Sequence, residues 1–186
     1  MTYEIELVGS GPAATAATAA FDDVDASVVS DAEDPALVLA VVPAGSEATA
    51  GLDRYERVVT VEIGGVGGHV VDALDAAVSV FGPTGAGFAD LRARIAATTE
   101  SDGSPTGDRS AVRLAGAIAG RRAVALLAGD DTVAGTVVDV VGAGVAGEHR
   151  VLPVPDPDSR DRAVRWDHRE VAVDDSLARA ERALDE

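Results

Sequence analysis

The sequence feature that most constrains the fold is Ala36–Val42 (ALVLAVV), an unbroken run of apolar residues. A strand with one face in solvent alternates apolar and polar residues, whereas a strand covered on both faces has no need to alternate. Strands of the second kind are typical of parallel sheets that have helices on both sides. The run therefore predicts a central strand of a parallel sheet.

Further short segments surround this run at the spacing of an α/β protein. Residues 3–8, 26–30 and 58–63 are predicted as strands, 13–21 as a helix, and 46–56 as a second short helix. Strands that alternate with helices in this way indicate a Rossmann-like arrangement. The first third of the chain is therefore predicted to be the parallel part of the sheet.

The chain beyond Ile63 has a different pattern, because glycines and polar residues interrupt it more often. Gly64–Gly68 (GGVGG) is predicted as a hinge between two halves, with a ligand-binding loop as the alternative. The elements predicted after it are an apolar segment at 69–81, helices at 89–97 and 110–128, an exposed loop at 100–109, strands at 136–141 and 150–154, and a helix at 176–184. The two strands are predicted to form a late antiparallel pair.

The whole chain, residues 1–186, is predicted as one domain, because its length suits a single core. A nucleotide-binding-like half spans 1–63, and a second half spans 64–172. The last stretch, 173–186, is predicted as a helix that leads into a further domain. The predicted fold class is α/β, with a mostly parallel sheet flanked by helices and a late antiparallel strand pair.

The composition limits the kinds of partner and the cellular location that we expect. The formal net charge is −17, and the 15 basic residues are all Arg. A surface this acidic repels nucleic acid and anionic membranes, so neither is expected as a partner. Abundant Asp, Ala, Val and Gly without Lys resembles proteins of extreme halophiles, and we expect a cytoplasmic protein of a halophilic archaeon. The absence of Cys excludes disulfides and cysteine-ligated zinc.

The motif GSGPAA, which begins at Gly9, satisfies the pattern G-x-G-x-x-G/A of dinucleotide-binding sites. Gly9 permits a tight turn, Gly11 lets a pyrophosphate approach the backbone, and Ala14 lets the helix and the strand pack closely. Ser10 and Pro12 complete the turn, where the N-terminus of the helix offers N–H groups to an anion. These five residues are the candidate nucleotide-binding residues.

An acidic residue about twenty positions beyond such a motif binds the ribose of the nucleotide. Asp31 and Asp34 lie in this region, and Asp31 is the candidate, although Asp is abundant throughout the chain. Two interpretations remain open: a site for ATP, NAD or FAD, and a tight turn that has kept its shape without a ligand. No cofactor is expected, with ATP in a degenerate site as the alternative.

Several short motifs follow one another in an order that spans most of the chain: VGSGPAA, EIGGVGG, FGP, LRARI, LAGAIAG and LPVP. His69–Leu91, Ser110–Gly129 and Val137–Pro155 resemble segments that follow the nucleotide-binding half of ThiF- and MoeB-type, ubiquitin-activating-enzyme-like domains. The order as a whole resembles the N-terminal domain of haloarchaeal YcaO-domain proteins. The terminal LARAERALDE resembles the helix that leads into their catalytic domain.

The resemblance implies a non-catalytic N-terminal domain that binds or positions a peptide substrate and supports a homodimer. The implied partner is a YcaO catalytic domain, which activates backbone amides with ATP and makes azolines or thioamides. A nucleotide-binding enzyme or sensor that uses the Gly9–Ala14 turn is the first alternative, and a structural adaptor is the second. The predicted peptide site is a sheet edge at Val151–Val154, and the predicted dimer contact is made by the small-residue helices.

The chain departs from this family at the positions of two zinc-binding Cys pairs. Gly87–Asp90 and Asp156–Ser159 stand there instead, so no zinc is expected. A hard cation held by Asp90, Asp156 and Asp158 is the alternative to a solvated surface. Adenylation by ThiF-like enzymes uses a Lys, which the chain lacks and for which Arg is a poor substitute. No catalytic residue is therefore assigned.

A few other side chains have competing interpretations. His69, His149 and His168 are interpreted as lone surface histidines, because none is spaced as a metal-binding pair. Arg121–Arg122 is a solvated helix face or a contact for a partner's carboxylates or phosphates. Trp166 packs the polar tail onto the body or anchors a partner.

Overall fold

The computed structural model describes residues 2–96 and 104–153. The chain divides into two units after Pro153, and the structural statements below concern the first unit. The strands are β1 (Tyr3–Gly9), β2 (Ala26–Val29), β3 (Leu37–Pro43), β4 (Val58–Ile63), β5 (Gly65–Val66), β6 (His69–Val70), β7 (Ala76–Phe81), β8 (Thr136–Val141) and β9 (Gly144–Arg150). The helices are α1 (Pro12–Thr18), α2 (Phe88–Ala96) and α3 (Arg109–Leu127), with 3₁₀ turns at Ala19–Phe21, Glu47–Thr49, Leu52–Arg54 and Asp131–Val133. None of these helices is long and apolar enough to cross a membrane.

Seven strands form one sheet in the order β2-β1-β3-β4-β7-β8-β9, and β5 pairs with β6 in a separate hairpin. β2, β1, β3 and β4 run parallel to one another, whereas β7, β8 and β9 each pair with antiparallel neighbours. The sheet is mixed because the short β5–β6 hairpin connects β4 to β7, and a parallel pair needs a longer crossover. The prediction of an α/β fold with flanking helices is confirmed, and the arrangement is consistent with a Rossmann-like fold.

β3 confirms the prediction made from its apolar run. Residues 37–42 are buried, and the strand lies between β1 and β4. Side chains at alternate positions of a strand point to opposite faces, so Leu37 and Leu39 belong to one core and Val38 and Ala40 to the other. Both faces of β3 are covered, which explains why the strand contains no polar residue.

Different elements cover the two faces of the sheet. α1 and α3 pack on one face, in a core made mostly of Ala, Val and Leu. α2 covers the other face through Phe88, whose ring meets that of Phe81 edge to face at a centroid distance of 6.0 Å. The first core contains almost no aromatic side chains, so its helices must approach the sheet and each other closely.

The contact between α1 and α3 depends on two glycines. A Cβ at Gly116 would lie 2.2 Å from the carbonyl oxygen of Ala13, and a Cβ at Gly120 would lie 2.3 Å from that of Ala17. The two helix backbones are therefore nearly in contact. The faces of the two helices that carry these glycines therefore pack against each other within the chain.

The predicted helix at 46–56 is wrong. Two separate 3₁₀ turns, Glu47–Thr49 and Leu52–Arg54, occupy this stretch. Gly51 between them has a φ of +83°, in the left-handed region. A left-handed residue ends a helix, so the two turns cannot join into one helix.

The last strand lies earlier than predicted. β9 pairs with β8 from Gly144 onward, because Gly142 and Ala143 form a two-residue hairpin loop. Gly142 has a φ of +57°, which such tight hairpin loops favour. The glycine-rich stretch predicted as a connection is therefore part of the strand, and Arg150 is its last residue instead of its first.

α2 and α3 begin one residue before their predicted starts. Asp108 caps α3, because its carboxylate accepts the N–H groups of Ser110 at 2.8 Å and Ala111 at 3.4 Å.

Several predictions fall outside the described residues: the helix at 176–184, the segment Asp156–Ser159, the end of the predicted edge at Val154, Trp166 and His168.

Candidate functional site

The carboxyl ends of the parallel strands meet at one edge of the sheet, where α/β proteins bind their ligands. β1 ends at Gly9 and β4 ends at Ile63, and a glycine-rich segment follows each of them. The candidate site therefore has two parts. The first is the Gly9–Ala14 turn, and the second is the β5–β6 hairpin with the residues that hold it.

Gly9 is required by the packing of the strands. Its φ is +98°, and a Cβ on it would lie 1.9 Å from the carbonyl oxygen of Val41 in β3. A residue with a side chain could not occupy this position unless β3 moved. The sheet itself therefore explains the first glycine of the motif, whether or not a ligand binds.

Gly11 differs from Gly9 because the space around it is open. Its φ is +100°, and nothing lies within 4 Å of a Cβ built on it. It is the N-cap of α1, it offers no side-chain cap, and Pro12 follows at the start of the helix. The N–H and the hydroxyl of Thr15 both donate to its carbonyl oxygen, at 3.0 and 3.1 Å. The predicted strand–turn–helix geometry is present.

The remaining predicted residues divide between the core and the surface. Ala14 is buried against the core, whereas Ser10 and Pro12 are exposed. Asp31 is exposed and lies two residues beyond the carboxyl end of β2, the strand that pairs with β1. Asp34 is exposed farther along the same connection. The fold thus brings Asp31 to the same edge as the turn, as a ribose-binding role requires.

The second part of the site contains a buried carboxylate that is not among the predicted residues. Glu62 in β4 has no exposed surface. Its two oxygens accept the N–H groups of Gly67 and Gly68, each at 2.6 Å. Both glycines have positive φ, +61° and +80°, and such a conformation lets successive N–H groups point to one anion. Glu62 therefore ties the hairpin to the end of β4.

The positive charge of Arg92 in α2 favours the ionised form of the same carboxylate. Its guanidinium donates to the carbonyl oxygen of Thr49 at 3.1 Å and lies over the Phe88 ring at 5.2 Å from the centroid. Burial raises the pKa of Glu62, while the two glycine N–H groups and the Arg92 charge act in the opposite direction. Burial has the largest effect, so the Glu62 carboxyl group binds its proton more tightly in the folded chain than an exposed Glu does in water.

A carboxyl group with a raised pKa can act as an acid or a base when it reaches a substrate. Both oxygens of Glu62 are instead bonded within the chain, so its role in this structure is to fix the hairpin. The predicted hinge at Gly64–Gly68 is therefore an ordered hairpin, and two of its N–H groups are not free for a ligand. The sequence signal for this role is one charged residue in an apolar strand directly before GGVGG.

Two buried hydroxyl groups lie on the same face of the sheet as Glu62. Thr60 of β4 and Ser79 of β7 are fully buried and stand opposite each other in register. Neither hydroxyl has a hydrogen-bond partner among the described residues. These groups make the face under α2 the more polar side of the sheet.

The N-terminus of α2 lies where the resemblance would place a Cys pair. Asp90 accepts the N–H of Gly87 at 2.9 Å, and Asp53 accepts the N–H of Ala89 at 2.7 Å. Carboxylates in such positions satisfy free N–H groups at the start of a helix. Across residues 2–96 and 104–153, no three His, Asp or Glu side chains are grouped to hold a metal.

The two described histidines have separate surroundings. His149 Nε2 lies 2.8 Å from Asp139 Oδ2, and the His149 side chain is 62% exposed. His69 is half-buried in β6 of the hairpin. His149 therefore belongs to a surface pair, which contributes little to stability.

β9 is an outer strand of the sheet. Six of its seven residues are exposed, and β8 pairs with its inner edge. Val145 alone exposes 55% of its surface. No strand in the described part of the chain pairs with the outer edge. An edge of this kind presents unpaired backbone groups to an extended peptide.

The predicted peptide edge, which begins at Val151, is largely used within the chain. Val151 is buried, and its N–H donates to the carbonyl oxygen of Gly135 at 2.8 Å. Arg94 of α2 donates to the carbonyl oxygens of Leu152 and Pro153, at 2.8 and 3.1 Å. The exposed outer edge lies instead in β9, where six of seven residues are exposed.

Comparisons of this chain with protein-family models, with curated proteins and with solved structures find no match in any of the three.

Proposed function

We propose that the chain is the non-catalytic, ThiF-type N-terminal domain of a YcaO-type peptide-modifying enzyme from a halophilic archaeon. In this role it binds or positions the peptide substrate and supports a homodimer. The motif order supports the proposal, as does the parallel half followed by antiparallel strands. The observation that carries it is the exposed edge of β9.

An extended peptide would add to the sheet beside β9. Such binding uses backbone hydrogen bonds for affinity and alternate side chains for selectivity. Gly144, Ala146 and Gly147 are small, so a neighbouring strand can approach without steric conflict, and Val145 offers an apolar contact. The register shift between β8 and β9 at Asp139 and Val140 marks a bulge, which also limits uncontrolled pairing of the edge.

The natural gene product is expected to change the mass of peptides only when ATP is present. In azoline formation a Cys, Ser or Thr side chain attacks the carbonyl carbon of the preceding amide, and the amide oxygen, activated by ATP, leaves as phosphate, so that the peptide loses the mass of one water. In thioamide formation sulfide added to the mixture displaces the same activated oxygen, which again leaves as phosphate. Mass spectrometry separates these two outcomes. Hydrogen exchange measured on the same mixture is expected to slow at the β9 amides, because the bound peptide would accept hydrogen bonds from them.

β2 provides an internal control for this experiment, because it is the outer strand at the opposite side of the sheet. Its amides are expected to exchange at the same rate with and without peptide. Slower exchange at β2 but not at β9, or the absence of any ATP-dependent product, would contradict the proposal.

The alternative function is nucleotide binding at the Gly9–Ala14 turn. It is favoured by the open space at Gly11 and by the position of Asp31 at the same edge of the sheet. If it is correct, ATP, NAD or FAD stabilises the fold by mass action, by about 2.7 kcal/mol at a concentration of about 100 times Kd. Thermal unfolding at high salt is then expected to shift upward by several degrees.

A matched pair of variants tests the ribose contact. Asp31→Asn is expected to reduce the shift caused by NAD, whereas Asp34→Asn, a neighbouring exposed residue, is expected to leave it unchanged. If none of the three nucleotides shifts the unfolding midpoint, the turn is a structural element and the alternative function fails. A structural adaptor is the interpretation that remains if peptide binding fails as well.

A further inference from the structure

α3 has a charge pattern opposite to that of the chain as a whole. It contains four Arg and no Asp or Glu among its 19 residues. The whole chain has 32 acidic and 15 basic residues. α1, which packs beside α3, has no charged residue at all. The face formed by α1 and α3 is thus positively charged, whereas the chain as a whole is negatively charged, and surface charge selects charged partners.

Three of the four Arg side chains form a line along the exposed side of α3. Arg109, Arg113 and Arg121 are exposed, and exposed Ala117 completes the spacing of every fourth residue. Residues at this spacing lie on one face of a helix, about 6 Å apart along its axis. The helix therefore presents three guanidinium groups on one side, with a gap at Ala117 between the second and the third.

These three Arg side chains make no ion pair or hydrogen bond with any described residue, whereas the adjacent Arg122 pairs with Glu148 at 3.0 Å. A guanidinium group is a planar donor that matches a carboxylate with two parallel hydrogen bonds. The row is therefore available to carboxylates from outside the described part of the chain. We call this row, together with the groove beside it, the arginine groove.

The groove beside the row is open and has a volume of about 500 Å³. Its lining is mostly apolar, and the residues that line it are Pro12, Thr15, Ala16, Ala19, Arg109 and Arg113. An apolar floor bordered by positive charge suits a segment that has apolar side chains on one side and carboxylates on the other.

The charge of the row and the apolar lining of the groove together decide between the possible occupants. A symmetric dimer through this face would place the same Arg side chains against each other, because a two-fold interface joins identical patches. Nucleic acid would supply negative charge to the row, but its phosphate backbone has no apolar side to place in the groove. An acidic protein segment satisfies both the row and the lining.

We propose that the arginine groove binds an acidic amphipathic helix of a partner protein. Carboxylates at every fourth residue of that helix pair with Arg109, Arg113 and Arg121, and its apolar side lies against α1. This surface uses no β9 residue, so the inference goes beyond the proposed function and names the chemistry of a second partner.

The test uses a fluorescein-labelled helical peptide with Glu at every fourth residue and Leu and Ala on the opposite side. Its anisotropy is measured with the chain at the lowest salt at which circular dichroism shows the native fold. The charge reversal R109E/R113E is expected to weaken binding at least about tenfold. The matched control R54E/R57E changes the net charge equally and is expected to weaken binding less than about threefold. Added salt is expected to weaken the native complex.

Three outcomes would overturn the inference. One is that the native chain binds the Glu peptide no better than the same peptide with Lys in place of Glu. Another is that R54E/R57E loses as much affinity as R109E/R113E, with both variants folded by circular dichroism. The third is that single-stranded DNA of equal charge binds more tightly than the peptide. Because β9 is not involved, peptide protection at β9 and binding at the arginine groove succeed or fail independently.

Discussion

Replacing Gly116 with Ala is expected to lower the free energy of unfolding by roughly 2–4 kcal/mol. Ala is normally the better helix former by about 1 kcal/mol, so helix propensity alone would stabilise the variant. The expected loss of stability therefore comes from packing. The new Cβ would lie 2.2 Å from the carbonyl oxygen of Ala13 and 2.7 Å from its Cα. These are backbone atoms, which cannot rotate away, so α1 would have to move from α3. Gly120→Ala is expected to act in the same way through Ala17.

Chemical unfolding followed by circular dichroism measures both effects. Ala117→Gly is the matched control, because Ala117 is an exposed residue of the same helix. It is expected to cost about 1 kcal/mol, from helix propensity alone. A Gly116→Ala variant at least as stable as the native chain would show that the two helices lie farther apart than the structure places them.

The parts of the fold that could be predicted are those whose signals are local. The apolar run of β3 shows double-sided burial by itself, and the GSGPAA motif shows a turn between a strand and a helix. α3 was recoverable from its apolar spacing and from Gly129 after its end. In each case the residues that determine the element lie within the element or next to it.

Strand direction was not predictable in the same way. Residues 69–81 form a single apolar segment in the sequence, yet the structure divides them into β6 and β7 and pairs β7 antiparallel with β4. An apolar pattern gives burial but not direction, because side chains alternate identically in parallel and antiparallel strands. The short β5–β6 hairpin decides the direction, and its geometry depends on glycine conformations that spacing does not reveal.

The site shows the same limit. The motif predicted the Gly9 turn, but the reason for Gly9 is the Val41 carbonyl oxygen, thirty-two residues away in sequence. Glu62 was missed because a Glu at the end of a strand normally faces solvent. Its burial depends on the fold of the following hairpin and on Arg92 in α2, and both are long-range features.

Replacing Glu62 with Ala is expected to cost about 3 kcal/mol of unfolding free energy. The change would leave the N–H groups of Gly67 and Gly68 without their acceptor, and unsatisfied buried donors cost about 1–3 kcal/mol each. It would also leave space beneath α2. Chemical unfolding gives the total cost, and hydrogen exchange is expected to speed up at the Gly67 and Gly68 amides. The control Glu56→Gln, at an exposed position, is expected to change stability by less than about 0.5 kcal/mol.

The pH dependence separates the charge of Glu62 from its hydrogen bonds. Its pKa in the folded chain is raised above the ordinary value of 4.5, so its contribution to stability is fully present below that value. The contribution is lost as pH rises through the folded pKa, because the unfolded chain then ionises more readily. Glu62→Gln cannot ionise and should escape this loss.

The native chain is therefore expected to lose stability relative to Glu62→Gln as pH rises from about 4.5 to the folded pKa, with a slope of up to about 1.4 kcal/mol per pH unit. Comparing the two proteins at each pH removes the titration of the other carboxylates, which both share. Unfolding free energies measured across this range give the difference directly. A difference that stays constant with pH, or that changes in favour of the native chain, would mean that the glycine N–H groups and Arg92 outweigh burial and that Glu62 is held as a carboxylate.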